Sequence, residues 1–242
     1  MAVVRQAHPD VVVCAAAQPF VEQCEREPEA TAAINVAGTA NLARAAAATG
    51  SLFVFFSSDY VFDGTRAPYQ EGDPPDPVNE YGRQKVRAES IARSCEAHLV
   101  CRVSGVFGLE RARKNFVYHV VDRLSRDQAV RVANDQILCP TAATELAEAV
   151  VSLVRQGARE IVHVVGPDAL TRFEFARRIA RTFGFDERRI EGVPTSALGL
   201  TARRPPNTAL RTDRLRTLTG SPLAPTDVAL AQLRASGLDS GI

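Results

Sequence analysis

Short β-branched and aromatic runs alternate along this chain with longer Ala-rich or charged segments. Val11 to Cys14, Leu52 to Phe56 and His98 to Arg102 are apolar runs of four or five residues, the pattern of strands buried on both faces of a parallel sheet. Pro28 to Ala48 and Glu80 to Glu96, which lie between them, have helix-forming composition. Parallel neighbours need such crossovers, so the order predicts an α/β fold, a Rossmann-like doubly wound parallel sheet. Ser57 to Val78 holds Gly64, Gly72 and four prolines and reads as a loop, long enough to suggest function.

The second half has a different texture. Helices are expected over Asn115–Ser125, Thr144–Val154, Thr171–Phe183 and Asp227–Ala235, and short strands over Val130–Val132 and Ile161–Val165. Thr171 and Glu174 have the spacing of a capping box. This half is expected to form a smaller lobe against the carboxyl edge of the sheet, where doubly wound folds bind ligands. The expected division is residues 1–112 for a partial dinucleotide-binding domain and 113–242 for a mainly substrate-binding lobe.

Composition narrows the function classes. The 242 residues carry 29 basic and 28 acidic side chains, a net charge of +1, so no global positive field favours nucleic acid or a membrane surface. Lys85 and Lys114 are the two lysines among the 29 basic residues, so each marks a place where an ammonium is preferred to a guanidinium. Five cysteines, with no C-x-x-C pair, read as buried thiols of a reducing, cytoplasmic compartment, not as a disulfide framework or zinc site. The run Val11–Ala17 follows Pro9-Asp10 where a signal peptide would carry Lys or Arg, and it reads as a buried strand. The uncharged run Ala30–Ala43 contains Asn and Thr and is too short to span a bilayer.

The sharpest local signal is Tyr81-Gly82-Arg83-Gln84-Lys85, which puts a phenol and an ammonium on one helical face. A neighbouring cation favours the phenolate and lowers the pKa of the phenol, which suits it to proton transfer. A surface aromatic–aliphatic contact is the plainer reading of the spacing alone. Upstream, Phe53-Val54-Phe55-Phe56 runs into Ser57-Ser58-Asp59-Tyr60-Val61-Phe62-Asp63-Gly64. Hydroxyls there lie at the carboxyl end of a strand, where they can bond a carbonyl oxygen as it gains charge, or simply cap their own turn.

With Pro9–Ala17, Asn35–Leu42, Pro68–Glu71, Asp135-Gln136, Pro140-Thr141, Arg204-Pro205 and Leu210, these segments resemble the extended short-chain dehydrogenase/reductase family, in particular its dTDP-4-dehydrorhamnose reductase branch. That branch also holds the regulatory subunit of methionine adenosyltransferase. The resemblance implies Tyr81 as proton donor, Lys85 as the group that tunes it and holds a nicotinamide ribose, and Ser58 as the polarising hydroxyl. It further implies Ala15, Ala16, Ala17 and Asn35 along NADP or NAD. It sets Asp59 and Tyr60 near the substrate sugar, and Asn115 and Arg204 near a nucleotide diphosphate. A nucleotide-sugar substrate follows, and a homodimer is compatible with the pattern. Tyr60 after Asp59, where 4,6-dehydratases carry Glu, speaks against dehydration.

The sequence departs from the family in three places. No Gly precedes Gly38, so the Gly-rich phosphate turn is missing. By resemblance the chain begins ahead of the fourth family strand, without the residues that choose NADP or NAD, and leaves strand edges exposed. Gly105 stands where the rhamnose-pathway enzyme has an aromatic residue, and Leu138-Cys139 stand where small residues are usual. Three readings remain open on this basis: a nicotinamide-dependent reductase of a 4-keto sugar, a noncatalytic regulatory subunit on the same fold, and an inactive fragment.

Overall fold

The computed structural model describes residues 2–237. Its central sheet has four parallel strands in the order Val11–Cys14 (β1), Leu52–Ser58 (β2), His98–Val103 (β3) and Glu160–His163. Successive β2 residues point to opposite faces. Phe53 and Phe55 pack on Ala43, Ala46, Ala88 and Ala92 of the Thr39–Ala47 and Glu80–Arg93 helices. Leu52 and Val54 meet Leu146, Ala149, Val150, Leu153 and Leu215 of the Ala143–Arg155 and Asp213–Thr219 helices. Small alanines on one face let two helices lie close to the aromatic strand residues.

The expected Pro28–Ala48 helix is present but not uniform. Pro28 stands at its first turn, and a π-helical turn over Ala33–Gly38 separates Pro28–Ala32 from Thr39–Ala47. Past residue 112 the chain returns to the sheet: Glu160–His163 pairs with β3, and the Ala143–Arg155 helix covers the sheet face. The strand expected over Ile161–Val165 therefore belongs to the central sheet, because a right-handed crossover delivers the next parallel strand there.

The other core holds Phe107, Tyr118, Val121, Phe175, Ile179 and Leu230. Its helices are Phe116–Leu124, Arg172–Thr182 and Thr226–Ala235, and its strand Val130–Ala133 pairs in parallel with Ile190–Val193. Thr171 and Glu174 form the expected capping box. Among the described residues β1 pairs only with β2, and Val13 is 50% exposed. No helix among them is long and apolar enough to cross a membrane.

A buried ion pair locks the sheet to its helical layer. Arg102 on β3 grips Glu89 through two bonds of 2.9 Å, with side chains 1% and 5% exposed. The Ser57 hydroxyl also donates to Glu89, and Arg102 donates to the Glu71 carbonyl and stacks over Phe62. A bidentate pair with every neighbour bonded offsets its desolvation; a lone partner cannot. Glu89→Ala is expected to cost about 3–5 kcal/mol in urea unfolding by leaving Arg102 unpaired, and Glu89→Met combined with Arg102→Met to cost less than that single change. A single-variant loss under about 1 kcal/mol would show that the pair carries no such load.

Candidate active site

The Glu80–Arg93 helix starts where Asn79 accepts the Gly82 N–H at 2.9 Å, a side-chain N-cap. Its first two turns present Tyr81 and Lys85 to the carboxyl end of β2. Gly82 is required by a close approach: a Cβ there would stand 2.2 Å from the Tyr60 carbonyl oxygen. Bare backbone at this point lets the helix press on the 59–61 turn, and the Tyr60 and Tyr81 rings meet edge to face at 6.1 Å.

Ser58, Tyr81 and Lys85 share one cavity of about 440 Å³ with Ala15, Ala17 and Asp59. Ala16 lies beside it, exposed. The buried Lys85 ammonium donates to the Phe56 carbonyl at 2.9 Å and sits 5.0 Å from the Phe55 ring and 5.8 Å from the Tyr81 ring. Desolvation pushes its pKa down to about 8, against the opposing pull of Cys14 and Glu89. Desolvation also pushes the Tyr81 phenol above its ordinary value, more than Ser58 lowers it. The lowering expected from Lys85 is not among the causes of this shift: Ser58 supplies the lowering, and burial outweighs it.

Asp59 is knotted into the fold. It accepts hydroxyl hydrogens from Ser104 and Thr208, each at 2.6 Å, and from Ser58 at 2.9 Å. Ser58 in turn accepts the Tyr60 N–H at 3.2 Å. Asp59 therefore lines the cavity while holding three chain segments together.

Asn35 and Asn115 both make bonds within the fold. Asn35, expected along the cofactor, is buried. It accepts the Gln18 N–H at 2.7 Å and donates to the Gln18 carbonyl at 3.1 Å and Gln84 Oε1 at 2.8 Å. It pins the segment after Ala15–Ala17 to the residue preceding Lys85. Asn115, expected near a diphosphate, caps the Phe116–Leu124 helix. It accepts the Val117 and Tyr118 N–H groups and donates to the Gly108 carbonyl.

Arg204 does reach a ligand-sized space. A second cavity of about 240 Å³ is lined by Arg131, Arg172, Arg204, Tyr60 and Phe116. Arg204 pairs with Glu22 at 2.9 Å, and its buried Nη1 has no hydrogen-bond partner among the described residues. Arg172 donates to Gln136 and stacks over Phe116. A recess of about 40 Å³ shares Asp59 and Gly105 with the first cavity, and Tyr60, Gln136 and Arg172 with the second.

Residues 1–236 match the RmlD substrate binding domain family. This chain belongs to that family. It is 34% identical over 230 residues to the dTDP-4-dehydrorhamnose reductase of Salmonella typhimurium, covering 88% of this chain and 75% of that protein. It is 32% identical over 224 residues to the methionine adenosyltransferase 2 subunit beta of Danio rerio, covering 89% and 69%. The crystal structure of the Bacillus anthracis dTDP-4-dehydrorhamnose reductase in complex with NADP superimposes with a TM-score of 0.91 at 26% identity, covering 97% of this chain and 83% of that one.

Within this RmlD-family site, Arg131 and Arg172 had no sequence signal, since each is one arginine among many with no motif around it. Gly82 was visible as part of the Tyr–Lys segment, but its contact with Tyr60 was not. Gly82→Ala is expected to cost about 1–3 kcal/mol in denaturant unfolding, because a backbone oxygen must move, and to separate Tyr81 from Ser58. An unchanged midpoint together with unchanged activity would show that the helix needs no such approach.

Proposed function

We propose that this chain reduces the 4-keto group of a nucleotide-linked deoxysugar with a hydride from NADPH or NADH, Tyr81 giving the proton. The observation that carries this reading is the convergence of Ser58, Tyr81 and Lys85 in one cavity, with a second cavity lined by three arginines on the far side of Tyr60 and Asp59. The homology to dTDP-4-dehydrorhamnose reductases, one of them described in complex with NADP, supports it.

The residues present fit the nicotinamide–ribose end of such a cofactor. Ala15 and Ala17 leave room for close approach, and Lys85 uses one of its three N–H bonds on Phe56, which leaves donors for ribose hydroxyls. When bound, the cofactor supplies the hydride; the protein orients and polarises the carbonyl. Tyr81 is protonated at neutral pH, as a phenol with its ordinary pKa of about 10 would be, and burial shifts it further in that direction, so it holds the proton to be delivered. Ser58 donates to Asp59 in the free site and turns that hydrogen toward the carbonyl oxygen as charge builds there. Arg131, Arg172 and Arg204 suit the diphosphate of a sugar nucleotide. The five cysteines are free and buried, which suits a reducing, cytoplasmic setting.

A regulatory, noncatalytic subunit is the second reading, favoured by the likeness to methionine adenosyltransferase 2 subunit beta. Turnover separates the two. Mixing the chain with NADPH and a dTDP-linked 4-keto-6-deoxysugar is expected to oxidise NADPH. Tyr81→Phe is expected to lower kcat by roughly 10²–10⁴-fold with NADPH affinity nearly unchanged. Folded protein that binds NADPH yet never oxidises it would favour the regulatory role.

The pH profile tests Lys85. Its pKa is lowered to about 8, so the ammonium is present below that pH and lost above it. Since kcat/KM reports the free enzyme, it is expected to fall on the alkaline side with an apparent pKa near 8. A flat profile to about pH 10, the ordinary lysine range, would remove the ammonium from the reaction.

A further inference from the structure

Shortly after Ala15–Ala17 the chain forms a short helix, Val21–Arg26, that carries two carboxylates three residues apart. Each grips a different part of the site. Glu25 accepts the Glu80 N–H at 2.9 Å and stands 3.7 Å from the Arg83 guanidinium, at the start of the helix that bears Tyr81 and Lys85. Glu22 reaches the C-terminal half instead. Its carboxylate accepts the Thr201 N–H at 2.9 Å, the Ala202 N–H at 3.3 Å and an N–H of Arg204 Nη2 at 2.9 Å. Asn79, the cap of the Tyr81–Lys85 helix, donates to the Arg203 carbonyl at 2.9 Å. Residues 201–206 belong to no helix or strand, so these side chains are what fixes their path. The Arg204 side chain is only 12% exposed, and its Nη1 is buried without a partner among the described residues. A buried guanidinium with an unbonded N–H is disfavoured, and the Glu22 charge offsets that cost.

We propose that Glu22 is a positioning residue for the substrate: it holds Arg204, and with it the 201–204 segment, in place at the three-arginine cavity without touching the ligand itself. This rests on the diphosphate reading of that cavity argued above. Arg204 lines the cavity, and Val21, beside Glu22, lines it too, whereas Glu22 does not. A carboxylate facing the cavity would repel a diphosphate; this one spends its charge on Arg204 and two backbone N–H groups. Without that charge the long arginine side chain gains by turning its head to water, and the cavity loses one of its three cations. Arg172, by contrast, is steadied by Gln136 and the Phe116 ring and does not depend on Glu22.

The experiment is a double-mutant cycle read by calorimetric titration with dTDP in the presence of NADPH. It uses the wild type, Glu22→Gln, Arg204→Gln and the double variant. Glu22→Gln keeps the size of the side chain and removes its charge. It is expected to weaken dTDP binding about tenfold in the wild-type background, the scale of one hydrogen bond to a charged group, and less than about twofold where Arg204 is already Gln. Glu25→Gln, on the same helix, is expected to leave dTDP affinity within about twofold. In turnover of the keto sugar, Glu22→Gln is expected to raise KM with kcat nearly unchanged. Where Glu22→Gln does not fold, Glu22→Asp takes its place in the cycle, since it keeps the charge but falls one methylene short of Arg204. Undiminished affinity in the Glu22 variant, an equal loss in both Arg204 backgrounds, or an equal loss from Glu25→Gln would overturn the inference, because Glu22 would then only steady the fold. A wild type that binds dTDP yet never oxidises NADPH with the keto sugar removes the reduction alone and leaves the cycle to decide on Glu22. A wild type that binds no dTDP removes both the diphosphate reading and the role of Glu22.

Discussion

The site depends on how the buried carboxylate of Asp59 is satisfied. An isolated carboxylate taken out of water is strongly disfavoured, and burial does push this one toward its protonated form. Three hydroxyl donors oppose that push, from Ser104, Thr208 and Ser58. They come from the segment after β3, from the returning C-terminal segment and from the end of β2. One side chain thus ties the end of β2 to Ser104 after β3 and to Thr208, whose hydroxyl also lies within reach of the Ile137 carbonyl. Ser58 is held at one corner of this knot, so its hydroxyl has a fixed place before any ligand arrives.

The Glu80–Arg93 helix is the second organising element, because one sequence does several tasks at successive turns. Asn79 caps it, Gly82 lets it touch the Tyr60 carbonyl, and Tyr81 and Lys85 face the cavity. Gln84 takes the Asn35 amide and donates to Thr31, which anchors the π-helical turn region to the same helix. Glu89 then grips Arg102 beneath the sheet. Each contact fixes the rotation of the helix, and the rotation decides whether a phenol and an ammonium reach one carbonyl. Small errors of placement matter in such a site, since reactive groups must lie within hydrogen-bond reach.

Much of this was legible in the chain itself. The buried strands Val11–Cys14, Leu52–Phe56 and His98–Arg102 announce themselves because local apolar runs have one dominant fate in a parallel sheet. Tyr81, Lys85 and Ser58 were legible as a group because their residue types stand out at a strand end and one helical turn apart, and one cavity brings them together. What was not legible depends on long-range partners. Asn35 and Asn115 have the right residue type for ligand contact, and the sequence did not show the bonds each makes within the fold, one as a clamp and one as a cap. Arg131 and Arg172 gain meaning only when distant strands bring them to one cavity. Gly105 and Leu138 looked like two unrelated departures from the family pattern, and in three dimensions they lie against each other.

The electrostatics of the main cavity point in one chemical direction. Burial raises the pKa of Tyr81 and lowers that of Lys85, so both shifts favour the neutral form of the group concerned. For Tyr81 the neutral form is the one that carries a proton. For Lys85 a pKa of about 8 still leaves the ammonium dominant at pH 7, with its charge turned toward the Phe56 carbonyl and two aromatic faces instead of water. The cavity thus sets a neutral phenol and an ammonium beside the Ser58 hydroxyl, whose oxygen the Asp59 knot keeps in place.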